Sequence, residues 1–262
     1  MPFAEVNGQR LHYEDTGGDG PAVAFSHGLF MDETMFDPQV AVLRDRYRCI
    51  SWDERGHGQT GDVTEPFTYW DSAEDLAALL GWLGVERAVL AGMSQGGFLS
   101  LRCALRHPEL VRALILIDTQ AGLEDPERLP GYQLMVDSWL ANGPDQAMLD
   151  VIAGLILGEE YANTAEWQDN WRGQSDENLV QVFTTLATRD DVHDRLREID
   201  IPALVIHGEA DASIPLEIGR NLADGLPDAE FVIVPGAGHA ANLTHPELVN
   251  PRIERFLASL PE

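Results

Sequence analysis

The stretch Val89-Leu90-Ala91-Gly92-Met93-Ser94-Gln95-Gly96-Gly97-Phe98 constrains this chain more than any other. An apolar run ends in Gly-x-Ser-x-Gly-Gly and passes directly into a helix-like segment. A strand must therefore become a helix within about four residues, which forces Ser94 into a strained backbone conformation and lifts its hydroxyl out at the carboxyl end of a sheet. Gly92 and Gly96 remove the Cβ atoms that would collide at so tight a turn, and Gly97 lets the helix sit close to the sheet. The competing reading of the pentapeptide is a glycine-rich turn with an exposed serine. The rest of the chain decides between them.

At 262 residues the chain has the size of one α/β domain with a small insertion. Asp and Glu total 44 against 17 basic residues, a formal charge of −27 that repels nucleic acid and anionic membrane surfaces. All 17 basic residues are arginine. With no lysine there is no side-chain amine for a Schiff base or a lysine-anchored pyridoxal cofactor. Cys49 and Cys103 read as reduced core residues rather than a disulfide or metal framework. The amino terminus lacks a basic start followed by an apolar region, and no apolar run approaches the roughly 18 residues of a membrane span, so a cytoplasmic protein is expected.

The order of elements reads as follows. Phe3–Val6 and Arg10–Glu14 alternate with period two around Asn7-Gly8, which predicts an antiparallel hairpin. Ala22–Ser26 is continuously apolar, as befits a strand buried on both faces, and ends at His27-Gly28-Leu29-Phe30. Asp37-Pro38 is expected to cap a helix running to Arg46, and Tyr47–Trp52 to form the next strand. After the polar loop Asp53-Glu54-Arg55-Gly56-His57-Gly58, Ser72 is expected to open a helix bearing Leu76, Leu79, Leu80 and Leu83, closed by Gly84. Strands follow at Arg87–Ala91 and Val111–Ile117, separated by a helix that stops at His107-Pro108. This alternation predicts right-handed crossovers and a mostly parallel sheet. It breaks over 122–190, where helix-like segments carry Met135, Trp139, Trp167, Trp171 and Phe183 and no strand pattern appears; we assign that span to an inserted helical cap. Residues 1–121 and 191–262 then form the core, the latter with strands at Pro202–Ile206 and Phe231–Val234 and helices at Pro215–Leu226 and His245–Leu260.

A serine hydroxyl near pH 7 needs a base in hydrogen-bond reach and a third group to orient that base. His207-Gly208-Glu209-Ala210-Asp211 puts Asp211 just past one strand, and Pro235-Gly236-Ala237-Gly238-His239 puts His239 just past the last. With Ser94 they give the chain order Ser, Asp, His. On His27-Gly28, Asp53-x-Arg55-Gly56-His57-Gly58, Gly92-x-Ser94-x-Gly96-Gly97, Gly208-x-x-Asp211 and Gly238-His239, the chain resembles the α/β-hydrolase superfamily over nearly its whole length outside the cap. The resemblance implies a mostly parallel eight-stranded sheet flanked by helices, with the helical cap inserted. It further implies catalysis by Ser94, Asp211 and His239, with the backbone N–H groups of Leu29 and Gln95 as oxyanion hole. Asp118 also ends a strand and in some relatives that position supplies the acid, so it stays open as a rival to Asp211. His57 and His27 read as structural. No clustered ligand set suggests a metal, and no cofactor is implied.

A serine at the elbow argues for acyl transfer rather than the carboxylate nucleophile of dehalogenases and epoxide hydrolases. The loops His27–Gln39 and Asp53–Gly58 are similar to those of small esterases and enol-lactonases, although Gln95 replaces the methionine usual beside the serine of that type. The expected substrate is therefore a small-molecule ester or lactone, with Phe30, Trp139 and Trp167 as candidate wall residues. Enol-lactonases act on anionic substrates; in the cap only Arg172 and Arg189 follow Arg128 as candidates to meet such a charge. A cofactor-free haloperoxidase or perhydrolase and a C–C bond hydrolase would use the same three residues, and a ligand-binding receptor would keep the fold alone. A homo-oligomer is left open.

Overall fold

The computed structural model describes residues 2–158 and 161–261. Its centre is an eight-stranded sheet in the order β1-β2-β4-β3-β5-β6-β7-β8, with β1 Phe3–Val6, β2 Gln9–Asp15, β3 Ala22–Ser26, β4 Arg48–Trp52, β5 Ala88–Met93, β6 Val111–Ile117, β7 Ala203–Gly208 and β8 Ala229–Val234. The hairpin β1–β2 turns on Asn7 and Gly8, both with positive φ, and adds to β4 antiparallel; the remaining pairs are parallel. Every residue of β3, β5 and β7 is buried, whereas the edge strand β8 alternates. That difference follows from position: inner strands are covered by helices on both faces, so their sequences carry no alternation to read.

The helices are α1 Asp37–Leu43, α2 Tyr69–Trp82, α3 Gln95–Arg106, α4 Leu129–Asn142, α5 Gln146–Ile156, α6 Thr164–Arg172, α7 Asp176–Thr188, α8 Leu216–Gly225, α9 Ala241–Thr244 and α10 Pro246–Ser259. Four of them, α4 to α7, lie in the chain between β6 and β7. Two helix starts differ from expectation. Asp37 does not cap α1: the Asp32 side chain accepts from Thr34 N–H and begins a short 3-10 turn, Glu33–Phe36, that runs straight into the helix, and α1 ends at Leu43 rather than Arg46. The second helix opens at Thr68, not Ser72, because Thr68 and Asp71 exchange side-chain and backbone hydrogen bonds in a capping box. Ser72 is instead a buried face residue one turn in. Gly84, at φ 68°, follows the end of α2 and lets Val85 N–H reach back to Leu80 O. Cys49 and Cys103 are buried and free. Among the described residues no helix is long and apolar enough to cross a membrane.

Candidate active site

Ser94 stands between β5 and α3 at φ 50° and ψ −114°, a region that costs a non-glycine residue free energy and persists only where the surroundings over-determine it. They do so here. Ser94 N–H donates to Ile117 O (2.9 Å), and Ser94 O accepts from the Thr119 hydroxyl (2.6 Å). A Cβ at Gly92 would overlap the Gly96 carbonyl, and one at Gly96 the Ser26 carbonyl, so only glycine fits at either position. Thr119 carries no signal in the sequence: its bond spans 25 residues and belongs to no local motif.

On one side of the serine lie the loops after β7 and β8. His239 Nε2 is 3.0 Å from Ser94 Oγ, and its Nδ1 donates to Asp211 Oδ2 at 2.8 Å. Asp211 Oδ1 accepts the N–H groups of Ser213 (2.8 Å) and Ile214 (2.9 Å). Burial alone would raise the Asp211 carboxyl; the charge of His239 and hydrogen bonds from His207, His239 and Ile214 outweigh it and hold the group well below the usual carboxylate range. Asp118, the rival acid, makes no bond to His239. Its Oδ1 accepts Gly208 N–H (2.7 Å) and its Oδ2 accepts Ala241 N–H (3.0 Å), from a backbone held at φ 47°. It thus ties the root of the Asp211 loop to the loop that carries His239. Burial, then the nearby Asp211 charge, pushes its carboxyl up to about 7.

On the other side the chain turns tightly at Gly28–Met31, closed by Met31 N–H to Gly28 O (3.0 Å), with Phe30 at φ 65°. The indole of Trp171 donates to Phe30 O (2.7 Å) and pins that turn from α6. Among the described residues, the N–H groups of Leu29 and Gln95 donate to no protein acceptor, Gln95 being the first residue of a helix. Behind them lies a buried polar cluster. His27 Nε2 accepts Glu54 N–H (3.0 Å) while its Nδ1 donates to Gly28 O (2.8 Å). The Gln95 amide nitrogen donates to Glu54 Oε2 (3.1 Å) and to His57 Nε2 (3.4 Å), and its oxygen accepts from Tyr69 (3.4 Å). These bonds require both imidazoles neutral, and burial lowers His27 to about 4 and, with the charge of His27 adding to it, His57 to about 3. Burial, then the charges of Asp75 and Asp53, raises Glu54 well above the carboxylate range; its Oε1 has no partner among the described residues, so an anion there would be stranded. Glu54 was not singled out by sequence.

Ser94 and His239 open onto a cavity of about 810 Å³ between the strand ends and α4, α5 and α7. Phe30 lines it; Trp139 and Trp167 do not. Trp139 stacks behind Phe30 at 5.7 Å between ring centroids, and Trp167 is buried in α6. Both large rings reach the interior of the helical layer before they reach the wall, which helical spacing alone could not distinguish. Arg172 bonds Asp169 and Gln146 at the surface, and Arg189 is buried against Glu124 (2.9 Å) and the carbonyls of Gly122 and Leu186. Two groups of three ligand-type side chains cluster within 4.8 Å, His12/Glu33/Asp53 and Asp118/His207/Asp211. The oxygens of Asp53, Asp118 and Asp211 in these groups already accept backbone N–H groups or histidine.

The sequence model of a family described as "alpha/beta hydrolase fold" matches residues 21–246. The chain belongs to that family. Among solved structures this α/β hydrolase is similar to the enol-lactonase from Burkholderia xenovorans LB400 (27% identity, TM-score 0.90, 98% of this chain and 100% of that one). It is also similar to a thermophilic esterase from Thermogutta terrifontis (28%, 0.88, 96% and 94%). Among curated relatives, 2-(acetamidomethylene)succinate hydrolase of Mesorhizobium japonicum is 28% identical over 253 residues, 92% of this chain and 89% of the relative.

Proposed function

We propose that this α/β hydrolase is a serine hydrolase of small-molecule carboxylic esters or lactones, working through an acyl-enzyme on Ser94. The observation that carries the reading is the continuous relay from Ser94 Oγ through His239 to Asp211, at 3.0 and 2.8 Å, on the floor of the cavity. His239 Nε2 takes the hydroxyl proton as Ser94 Oγ attacks the carbonyl carbon, and Asp211 stabilises the imidazolium that forms. The carbonyl electrons move onto oxygen, where the N–H groups of Leu29 and Gln95 receive the charge, each worth about 3 kcal/mol in the transition state. Collapse breaks the ester C–O bond and His239 returns the proton to the leaving alcohol. A water then attacks the acyl-enzyme with the same histidine as base, and Ser94 is released with its proton.

In this reading residues 122–190 act as a cap, with α4, α5 and α7 closing the cavity over the serine and α6 bracing the oxyanion turn through Trp171. The two buried free thiols suit a reducing, cytoplasmic setting. Steady-state hydrolysis of p-nitrophenyl esters of increasing acyl length, beside simple lactones, tests the proposal in wild type and Ser94→Ala. Loss of about a millionfold in kcat in the variant is expected, since removing one member of such a unit costs nearly as much as removing all of it. Equal activity in the two proteins would end the reading.

A further inference from the structure

We propose that the cavity selects uncharged, apolar acyl groups and rejects substrates bearing a second carboxylate, an inference that rests on the serine-hydrolase reading and names its substrate class. The chain has no lysine, and its 17 arginines all fall within the described residues. Among these residues Arg128 is the one arginine on the cavity wall. Its guanidinium is turned onto the carbonyls of Ala212 (3.2 Å) and Ser213, with Asp125 at 3.9 Å. Arg189 approaches from behind but lies over the face of Phe98 (4.6 Å) and is paired with Glu124, so the wall receives the Phe98 ring and the Glu124 carboxylate rather than the cation. One guanidinium nitrogen of Arg189 has no partner, yet it is buried outside the lining. Glu127 adds a second acid to the wall.

A carboxylate carried into this cavity would therefore leave water and meet Glu124, whose cation partner Arg189 lies behind the wall, the exposed Glu127, and one guanidinium already committed to carbonyls. Desolvating an ionised carboxylate without a partner is among the costliest acts a site can perform. Alkyl groups meet the opposite reception. The floor around the serine is Phe30, Met31, Met93 and Phe98, and the covering helix α5 adds Ile152, all buried, while the mouth carries Leu134 (71% exposed) and Val151 (61% exposed). Two methionines at the floor suit chains of varied shape, since their side chains are unbranched and adaptable.

The test compares p-nitrophenyl hexanoate with mono-p-nitrophenyl adipate, which differ only in a terminal methyl against a terminal carboxylate. Wild-type kcat/KM should rise about fourfold per methylene from acetate to hexanoate, the equivalent of burying one CH₂. The adipate ester should fall at least about 100-fold below the hexanoate ester, the cost of one poorly paired buried charge. In 1 M NaCl, where the Debye length is about 3 Å, most of that ratio should survive, because its origin is the wall and not the distant field of the −27 charge. Leu134→Arg, at an exposed position on the mouth, should narrow the ratio by up to about fivefold, the most that one exposed charge pair supplies. Calorimetric binding of ethyl hexanoate and monoethyl adipate to Ser94→Ala reads the same preference without turnover, so it separates failure of this inference from failure of the serine reading. Equal rates or equal affinities for the two members of a pair overturn the inference, as does a ratio that disappears in salt.

Discussion

The two flanks of Ser94 are built on opposite electrostatic plans. Toward β7 and β8 the chain concentrates charge: Asp211 is kept ionised by two backbone N–H groups and by His239, and Asp118 braces both loops. Toward the Gly28–Met31 turn it pushes His27 and His57 below their ordinary value and Glu54 above it, each toward its neutral form, even with Asp53 and the Arg55–Asp75 ion pair close by. The proposed chemistry explains the asymmetry. An imidazolium forms on the first side and needs a fixed anion beside it; an oxyanion forms on the second, where a buried carboxylate would oppose it and dipoles serve better. A substitution that removes charge should therefore be severe on one flank and mild on the other.

The largest effect is expected at Asp211→Asn. The shape is kept, but the histidine loses its fixed anion, and kcat should fall about 10⁴-fold in single-turnover hydrolysis. An intermediate effect is expected from acid. His27 and His57 have folded values of about 4 and 3 against 6.5 in the open chain, so the unfolded state takes up protons that the fold refuses. Their contribution is complete above pH 6.5 and is lost as pH falls toward 4, by up to roughly 3 kcal/mol for each group. A thermal melting temperature that drops steeply over that window in wild type, and less in His57→Gln, is the expected result; a flat profile would remove the neutral-flank half of the comparison. The smallest effect is expected at Glu54→Gln. Burial pushes this carboxyl toward its neutral form, and the amide keeps its shape and its acceptor for Gln95, so kcat should stay within about threefold. Because a raised acid stabilises below its unfolded value and loses that contribution as pH climbs, Glu54→Gln should also melt higher than wild type on the alkaline side.

Much of this was legible in the chain, for reasons that differ by residue. The strands Ala22–Ser26 and Val111–Ile117 agree with the sequence reading residue for residue, because unbroken apolar runs between turn residues have few other fates. Ser94, Asp211 and His239 stood out because each follows a strand end marked by glycine. Asp118 also ends a strand, though without a neighbouring glycine, and its bonds to Gly208 and Ala241 set it apart from Asp211. The Glu54–Gln95 pair lay beyond reach: its members are 41 residues apart and no periodicity joins them. The second helix starts four residues before the expected Ser72, since a Thr-x-x-Asp box enclosing Tyr69 and Trp70 resembles a loop end as much as a cap. In the 122–190 span, helical spacing signalled helices but not which faces turn inward, and so Trp139 and Trp167 were expected at a wall that Met135, Met148 and Ile152 supply instead.

The central claim is that one serine, activated on its charged flank, is the nucleophile, and covalent labelling tests it most directly. Wild type, Asp211→Asn and Ser94→Ala would each be treated with a diethyl p-nitrophenyl phosphate ester and weighed intact by mass spectrometry, with peptide mapping of any adduct. The account predicts one diethylphosphoryl group per chain, on Ser94, formed rapidly in wild type and slowly in Asp211→Asn, with none on Ser94→Ala. An adduct elsewhere, or an unmodified Ser94 in a protein that hydrolyses esters, would contradict it.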